Sequence, residues 1–188
     1  MKFDDITFDG RLWAVRYDGD PENILELTFN QWNNIDFLKG FFKEHMSDLE
    51  SYFHISSVDL AINDTLADAE QLECLIFDLN PGTDFDKIFR PLDNLQASEI
   101  MLSKEKAKGN RISGHDSWLR LYAIRIESHS YLITGGAIKL TLHMSDRAHT
   151  ERELQKLDMV KRYLLDNAVT DLDSFKDYII TKENDTDN

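Results

Sequence analysis

Cations and histidines gather around one stretch in the second half of the chain. Arg120 and Arg125 lie among apolar neighbours, Lys139 follows a second apolar run, and His143 and His149 come soon after it. A guanidinium group is well shaped to bind phosphate, and an imidazole can transfer a proton near neutral pH. These residue types could therefore bind a phosphate and move protons beside it. The alternative is that the arginines form salt bridges within an acidic protein, and the sequence leaves both open.

Other groups of residues that could do chemistry give weaker signals. Ser113, His115 and Asp116 are the residue types of a catalytic triad, but adjacency in sequence says nothing about triad geometry. Gly135 and Gly136 lack the spacing of a phosphate-binding loop, so they predict a bulge or a close backbone approach within a strand. The histidine spacing matches no compact metal motif. We therefore predict neither a metal nor a small-molecule cofactor.

The charge distribution singles out the same stretch. The 188-residue chain has a net charge of −14, which argues against nucleic-acid binding by the whole surface. Residues 101–150 nevertheless carry eight Lys and Arg against four Asp and Glu, whereas residues 1–100 carry seven against 21. One basic segment therefore lies within an acidic chain. Besides the cations above it contains Lys108, Arg111 and Arg147.

Composition limits the class of protein. A chain of this length with 41% hydrophobic residues can form one domain with a real core. No apolar run reaches membrane-spanning length, and no charged-then-apolar leader opens the sequence. Cys74 is the only cysteine, so no intramolecular disulfide is expected. We expect a soluble cytoplasmic protein without membrane contact.

A hairpin and the helices around it must position the basic residues. Residues 118–126 and 131–141 are rich in aromatic and β-branched residues and flank a short polar loop, which is typical of two antiparallel strands. Residues 12–17 predict a further strand. Helical periodicity runs through residues 23–80 and again through residues 145–167.

Together these elements predict an α+β fold, with a small antiparallel sheet flanked by helices. We expect a single domain over residues 1–182, in which residues 23–80 form a helical insertion, and a polar tail over residues 183–188. We also expect Leu121 of the hairpin and Leu157 of the later helix to be buried on facing elements.

The order of these elements and four sequence segments resemble the RelE/HigB-like toxins of type II toxin–antitoxin pairs. Residues 89–92 resemble the segment that leads into the sheet of that family, and residues 119–125 resemble its arginine-bearing central strand. Residues 132–141 resemble the next strand, and residues 149–154 the start of the closing helix. The resemblance covers roughly residues 85–165, and this chain is longer and more acidic than most such toxins.

The resemblance implies a metal-independent, ribosome-dependent mRNA endonuclease, with a cognate antitoxin protein, the ribosome and mRNA as partners. Such cleavage activates the 2′-hydroxyl, stabilises charge on the phosphate and protonates the 5′-oxygen. Arg120 and Lys139 are then expected to stabilise the phosphate charge, and His143 and His149 to transfer protons. The residues expected to bind the RNA backbone are Lys108, Arg111, Arg125 and Arg147.

The alternative function is a non-catalytic protein-interaction module on the same scaffold, whose acidic helices bind a basic partner. The two hypotheses predict different geometries. A concave basic patch formed by Arg120, Lys139, Arg111 and a histidine favours the nuclease. Neutralisation of these cations by carboxylates from residues 40–73 favours the interaction module.

Overall fold

The computed structural model describes residues 1–77, 84–92, 102–108 and 114–186, in which helices surround a six-stranded sheet. The strands are β1 Lys2–Asp5, β2 Leu12–Arg16, β3 Arg90–Pro91, β4 Ser103–Lys108, β5 Leu119–Glu127 and β6 Ser130–Ile138. The helices are α1 Ile24–Trp32, α2 Ile35–Glu44, α3 Met46–Phe53, α4 Val58–Phe77, α5 Phe85–Ile88, α6 Ala148–Asp166 and α7 Leu172–Thr186. A short 3₁₀ helix spans Met144–Asp146.

The strands lie in the order β1-β2-β6-β5-β4-β3. Neighbours are antiparallel except for β2 and β6, which are parallel. A parallel pair needs a long crossover connection, and helices α1 to α4 follow β2 in the chain before β6 is reached. The predicted α+β class is confirmed. The sheet is mixed and not purely antiparallel, because β2 pairs with β6 of the hairpin in parallel.

The predicted hairpin is confirmed as β5 and β6. The register between the two strands shifts at two points. One lies between Arg125 and Glu127, and the other lies in the middle of the pair, where Tyr122 is opposite Gly135 whereas Ala123 is opposite Ile133. This irregularity occurs beside the glycine pair, where the sequence predicted a bulge or a close backbone approach. The extra residue on β6 changes the local twist in the middle of the sheet.

The glycine pair also allows helices to approach β6 from both faces. A Cβ atom at Gly135 would lie 1.7 Å from Oε2 of Glu153 on α6. A Cβ atom at Gly136 would lie 2.5 Å from Cγ2 of Thr28 on α1. Since successive residues of a strand point to opposite faces, α6 covers one face of the sheet and the α1 layer covers the other.

This arrangement corrects the expected contact between Leu121 and Leu157. Both side chains are fully buried, as predicted. Leu121 lies opposite Gly136, so it shares the face that α1 covers, whereas Leu157 belongs to α6 on the other face. The prediction that they lie on facing elements is therefore wrong, because strand alternation alone does not show which helix covers which face.

Side-chain caps set the start of several helices. The Asn23 side chain accepts hydrogen bonds from two backbone N–H groups at the start of α1, each at 3.1 Å. Oγ of Ser57 accepts one from the backbone N–H of Leu60, 3.2 Å away, at the start of α4. At the other end of the chain α7 continues to Thr186, so part of the expected polar tail is helical.

Among the described residues, no helix is long and apolar enough to cross a membrane.

The beginning of β5 is tied to the helices by Trp118. Its indole Nε1 donates a hydrogen bond to Oγ1 of Thr65 on α4, at 2.9 Å. The rings of Phe42 and Phe53 pack edge-on against the indole, with centroids 5.6 and 5.1 Å away. This cluster fixes the end of the sheet from which Arg120 emerges.

Candidate functional site

A cleft of about 700 Å³ opens on the side of the sheet formed by β3, β4 and β5. Leu154 of α6 and the loop after β6 form its other walls. Tyr122 and His143 also line it. Six cations converge here, and we call this surface the basic cleft: Arg90, Lys104, Lys106, Lys108, Arg120 and Lys139.

Strand alternation builds one wall of the basic cleft. Lys104, Lys106 and Lys108 occupy every second position of β4, and the positions between them are buried. In the register, Lys106 lies opposite Tyr122 and Lys108 lies opposite Arg120. Because paired residues of neighbouring strands point to the same face, these side chains form one continuous surface.

Backbone carbonyls hold Arg120 in place. Its Nη1 donates hydrogen bonds to the carbonyl oxygens of Ser117 and Leu119, at 2.6 and 2.7 Å. Burial lowers the pKa of the Arg120 guanidinium, while the negative charges of Asp68 and Asp116 oppose that shift. A guanidinium group remains protonated in proteins, so Arg120 keeps its positive charge in a partly desolvated position.

Lys139 is held in the same way. Its Nζ donates hydrogen bonds to the carbonyl oxygens of Thr141 and Leu142, at 2.6 and 2.7 Å. Burial lowers the pKa of Lys139, and the positive charges of Arg120 and Lys106 lower it further. The cations of the cleft therefore repel one another, and a bound anion would relieve that repulsion.

Two lysines of the cleft form ion pairs at its rim. Nζ of Lys104 lies 2.5 Å from Oδ1 of Asp158, and Nζ of Lys108 lies 3.2 Å from Oδ2 of Asp116. Both aspartates are largely exposed, at 62% and 67% of the side-chain surface. Exposed ion pairs are weak and screened by salt, so a phosphate can replace these carboxylates at little cost.

Tyr122 lies at the floor of the basic cleft and is fully buried. Its hydroxyl has no hydrogen-bond partner within the described part of the chain. Burial raises the pKa of Tyr122 above its usual value, so the hydroxyl stays protonated at neutral pH. It is thus a potential hydrogen-bond donor to a ligand oxygen that reaches the floor, and it is not a base.

The structure brings Arg120, Lys139 and His143 together, which are three of the four members of the patch that the nuclease hypothesis named. Lys108, an expected RNA-binding residue, lines the same cleft. His143 is exposed at the rim of the cleft. Its backbone N–H donates to Oδ2 of Asp146 at 2.8 Å, which fixes the chain at the start of the 3₁₀ helix. The backbone of His143 is therefore fixed at the rim, and its side chain lines the cleft and is open to solvent.

His149 does not line the basic cleft. Its Nε2 lies 2.9 Å from the carbonyl oxygen of Ile138, and its ring packs against the rings of Phe41 and His45, with centroids 5.1 and 5.0 Å away. Burial lowers the pKa of His149, which favours the neutral imidazole that donates to this carbonyl. Through these contacts His149 joins α6 to the end of β6 and to helices α2 and α3.

Two of the expected RNA-binding arginines are paired with carboxylates outside the cleft. Arg125 lies 3.5 Å from Oδ2 of Asp86, and Nε of Arg147 donates to Oδ2 of Asp48 at 2.7 Å. Asp48 belongs to the acidic segment that the interaction hypothesis named, although Arg147 is not one of the cations in the criterion of that hypothesis. Arg111 lies outside the described residues.

Sequence reasoning missed Arg90, Lys104, Lys106 and Tyr122 as members of the site. The signal for the lysines was present, since a Lys at every second position of a short segment predicts a strand with one basic face. Lysine has a low preference for strands, which made an exposed loop or strand edge equally consistent with that segment. Tyr122 is both buried and part of the cleft floor.

Within the described parts of the chain, one group of side chains has the residue types of a metal site. Potential ligand atoms of Asp84, Asp86 and His129 all lie within 4.8 Å of one another. The Asp86 carboxylate, however, accepts hydrogen bonds from the Tyr131 hydroxyl at 2.6 Å and from the His129 backbone N–H at 2.9 Å. Asp86 therefore anchors the turn of the hairpin, away from the basic cleft.

The chain matches no protein-family model, no curated protein and no solved structure. Its class is defined by the fold and the cleft alone. It is an acidic α+β protein that gathers cations in one concave surface at the side of a mixed sheet. Any function must explain why a chain with net charge −14 maintains that surface.

Proposed function

We propose that the basic cleft binds the phosphates of RNA and that the protein is a RelE/HigB-like toxin, which cleaves mRNA on the ribosome without a metal. The observation that supports this proposal is the convergence of six cations with Tyr122 and His143 in a cleft of about 700 Å³. This volume is typical of ligand sites and leaves room for a short segment of an RNA strand. Phosphates bind such clusters by displacing counterions and by charge-assisted hydrogen bonds.

The reaction follows from the groups in the cleft. The 2′-hydroxyl oxygen attacks the adjacent phosphorus and forms a P–O bond, while the bond from phosphorus to the 5′-oxygen breaks. His143 accepts the proton of the 2′-hydroxyl, and the Lys139 ammonium donates a proton to the leaving 5′-oxygen. Arg120 stabilises the added negative charge on the phosphate, and the Tyr122 hydroxyl donates to a phosphate oxygen. The products are a 2′,3′-cyclic phosphate and a 5′-hydroxyl.

The electrostatics of Lys139 suit its proposed role. A general acid is most effective when its pKa lies close to the operating pH. Burial and the neighbouring cations Arg120 and Lys106 lower the pKa of Lys139 in that direction. The same cations attract the phosphate, so binding and proton donation rely on one cluster.

Expression in a bacterial host tests the proposal. The protein should slow growth and reduce translation, and primer extension on ribosome-bound mRNA should show cleavage. Arg120→Ala combined with Lys139→Ala should abolish these effects while the purified variant remains folded by circular dichroism. Lys39→Ala, on the exposed surface of α2, is the matched control and should remain toxic. A harmless wild type with intact mRNA in the absence of an antitoxin would refute the nuclease.

The proposal also implies partners for the protein. A toxin of this kind acts in the cytoplasm, where its partners are the ribosome, mRNA and a cognate antitoxin protein. We expect the antitoxin to inhibit by placing carboxylates against the basic cleft. Inhibition of this type should weaken when Lys106 and Lys139 are replaced by alanine.

The second candidate is a non-catalytic protein-interaction module. The observation that favours it is the pairing of Arg147 with Asp48, which removes one expected RNA-binding cation. Under this hypothesis the acidic helix surfaces bind a basic partner and the cleft has no catalytic role. The combined Arg120→Ala and Lys139→Ala variant would then leave partner binding unchanged, and the wild type would not cleave mRNA.

A further inference from the structure

A second hollow, of about 460 Å³, adjoins the basic cleft. Both are lined by Arg120, Lys139 and Leu142, so these three residues form the boundary between them. The second hollow lies between the end of α3 and the segments that precede β5 and follow β6. We call it the aromatic hollow, and its further lining residues are Tyr52, Phe53, His54, Gly114, His115, Asp116, Ser117, Leu140 and Thr141.

The aromatic hollow offers flat side chains instead of a row of lysines. Tyr52 is 46% exposed, although it is a large aromatic residue. His115, which lines the same hollow, is held rigidly. Its ring stacks on Trp118 with centroids 4.4 Å apart, and its Nε2 lies 3.2 Å from Oδ2 of Asp64. His54 is exposed and ends α3 in a left-handed conformation, with φ of 58°. The chain thus turns sharply beside Tyr52.

We infer that the two hollows form one binding path for single-stranded RNA, in which Arg120 and Lys139 hold the phosphate at the boundary and Tyr52 stacks on the adjacent base. This inference rests on the proposed function and deepens it. An exposed aromatic ring beside a cationic groove is the usual arrangement for binding unpaired bases, because every base has a face that can stack. A duplex keeps its bases stacked inside and cannot place one in the aromatic hollow.

Tyr52 lies outside the segments that resemble RelE/HigB-like toxins, so the resemblance does not by itself imply this path. Tyr52 lies on α3, within the helices that precede the segments resembling RelE/HigB-like toxins. The helical insertion therefore does more than cover one face of the sheet, because it supplies one wall of the path. Trp118 couples this wall to β5, since it packs on Phe53 of α3 and precedes Arg120 by two residues.

Fluorescence anisotropy with 5′-fluorescein oligouridylates tests the inference on the full-length protein. A 2′-O-methyl group on every ribose blocks cleavage during the measurement, because it removes the nucleophilic 2′-hydroxyl. A hexamer should bind more tightly than a dimer, because it reaches more cations of the basic cleft, and Tyr52→Ala should weaken hexamer binding by about tenfold. Tyr52→Phe should retain hexamer affinity, because it keeps the stacking ring. Phe8→Ala is the control for removing a remote exposed aromatic, since Phe8 is 88% exposed on the loop after β1.

The outcomes distinguish failure of the binding path from failure of the proposed function. Equal hexamer affinity of the wild type and Tyr52→Ala would overturn the path, and the proposed function would stand if Arg120→Ala still weakened binding of both oligomers. Unchanged binding after Arg120→Ala would overturn both. Competition by poly-glutamate as effective as by unlabelled hexamer would also overturn the path, because charge alone would then explain binding. Equal affinity for a double-stranded hexamer would exclude recognition of unpaired bases.

Discussion

The salt dependence of RNA binding measures how many cations of the basic cleft contact phosphate. Binding of a single strand releases condensed counterions, and log K falls with log salt concentration by about 0.7 for each neutralised phosphate. Lys139 is the most informative position, because its Nζ is held by the carbonyl oxygens of Thr141 and Leu142. Replacing Lys139 with alanine therefore removes one cation and leaves no carboxylate without its ion-pair partner.

The structure sets limits on the slope. If all six cations of the basic cleft contact phosphate, the slope is about −4, and if only Arg120 and Lys139 do so it is about −1.4. Between 50 and 200 mM salt these limits correspond to a loss of affinity of roughly 300-fold and roughly sevenfold. Lys139→Ala should make the slope shallower by about 0.7. The double variant with Arg120→Ala should make it shallower by about 1.4.

Anisotropy titrations at a series of potassium chloride concentrations provide the slope for each variant. Lys39→Ala is the matched control, because Lys39 is exposed on α2 and does not line the basic cleft. Its slope should equal that of the wild type. The reasoning fails if the wild-type slope is shallower than about −1, or if Lys139→Ala and Lys39→Ala have the same effect.

Three further predictions concern stability. Gly136→Ala should lower the melting temperature in a calorimetric scan, because the new Cβ would lie 2.5 Å from Cγ2 of Thr28 and 3.1 Å from the Trp32 ring, both on α1. Gly40→Ala is the control and should be neutral or stabilising, since a Cβ there has no neighbour within 4 Å. Burial raises the pKa of Glu153 above 4.5, so the folded state favours the protonated form and loses stability as pH rises through that pKa. Glu153→Gln should therefore raise the melting temperature at pH 7 and make no difference below about pH 4, and an equal effect at both pH values would contradict this assignment. Leu121→Ala should lower the free energy of unfolding by roughly 2–5 kcal/mol in urea titrations, and an unchanged midpoint would show that this side chain is not packed in the core.

The sequence by itself determined the elements whose signals are local. Two runs of aromatic and β-branched residues around a short polar loop predicted the hairpin of β5 and β6. The glycine pair indicated the bulge, because a strand loses packing at glycine unless something approaches it closely. The basic segment was visible as well, since it depends only on counting charges. These features need no knowledge of which elements meet.

Only the tertiary structure decided which cations share a site. Arg125 and Arg147 have the same charge as Arg120, yet they are paired with Asp86 and Asp48, which lie 39 and 99 residues away in the chain. Such pairs depend on how elements pack, and no local pattern in the sequence records them. Coulomb energies change steeply with distance and burial, so a shift of a few ångströms separates a neutralised arginine from one that can bind phosphate.

The same reason applies to the walls of the site. Arg90 joins the basic cleft because the short strand β3 pairs with β4 at the edge of the sheet, and Tyr52 reaches the neighbouring hollow because α3 ends beside the start of β5. The parallel pairing of β2 with β6 places the helical insertion on the face opposite α6. Long-range pairing is stabilised by the burial of whole faces, which is a property of the assembled sheet and not of any one segment.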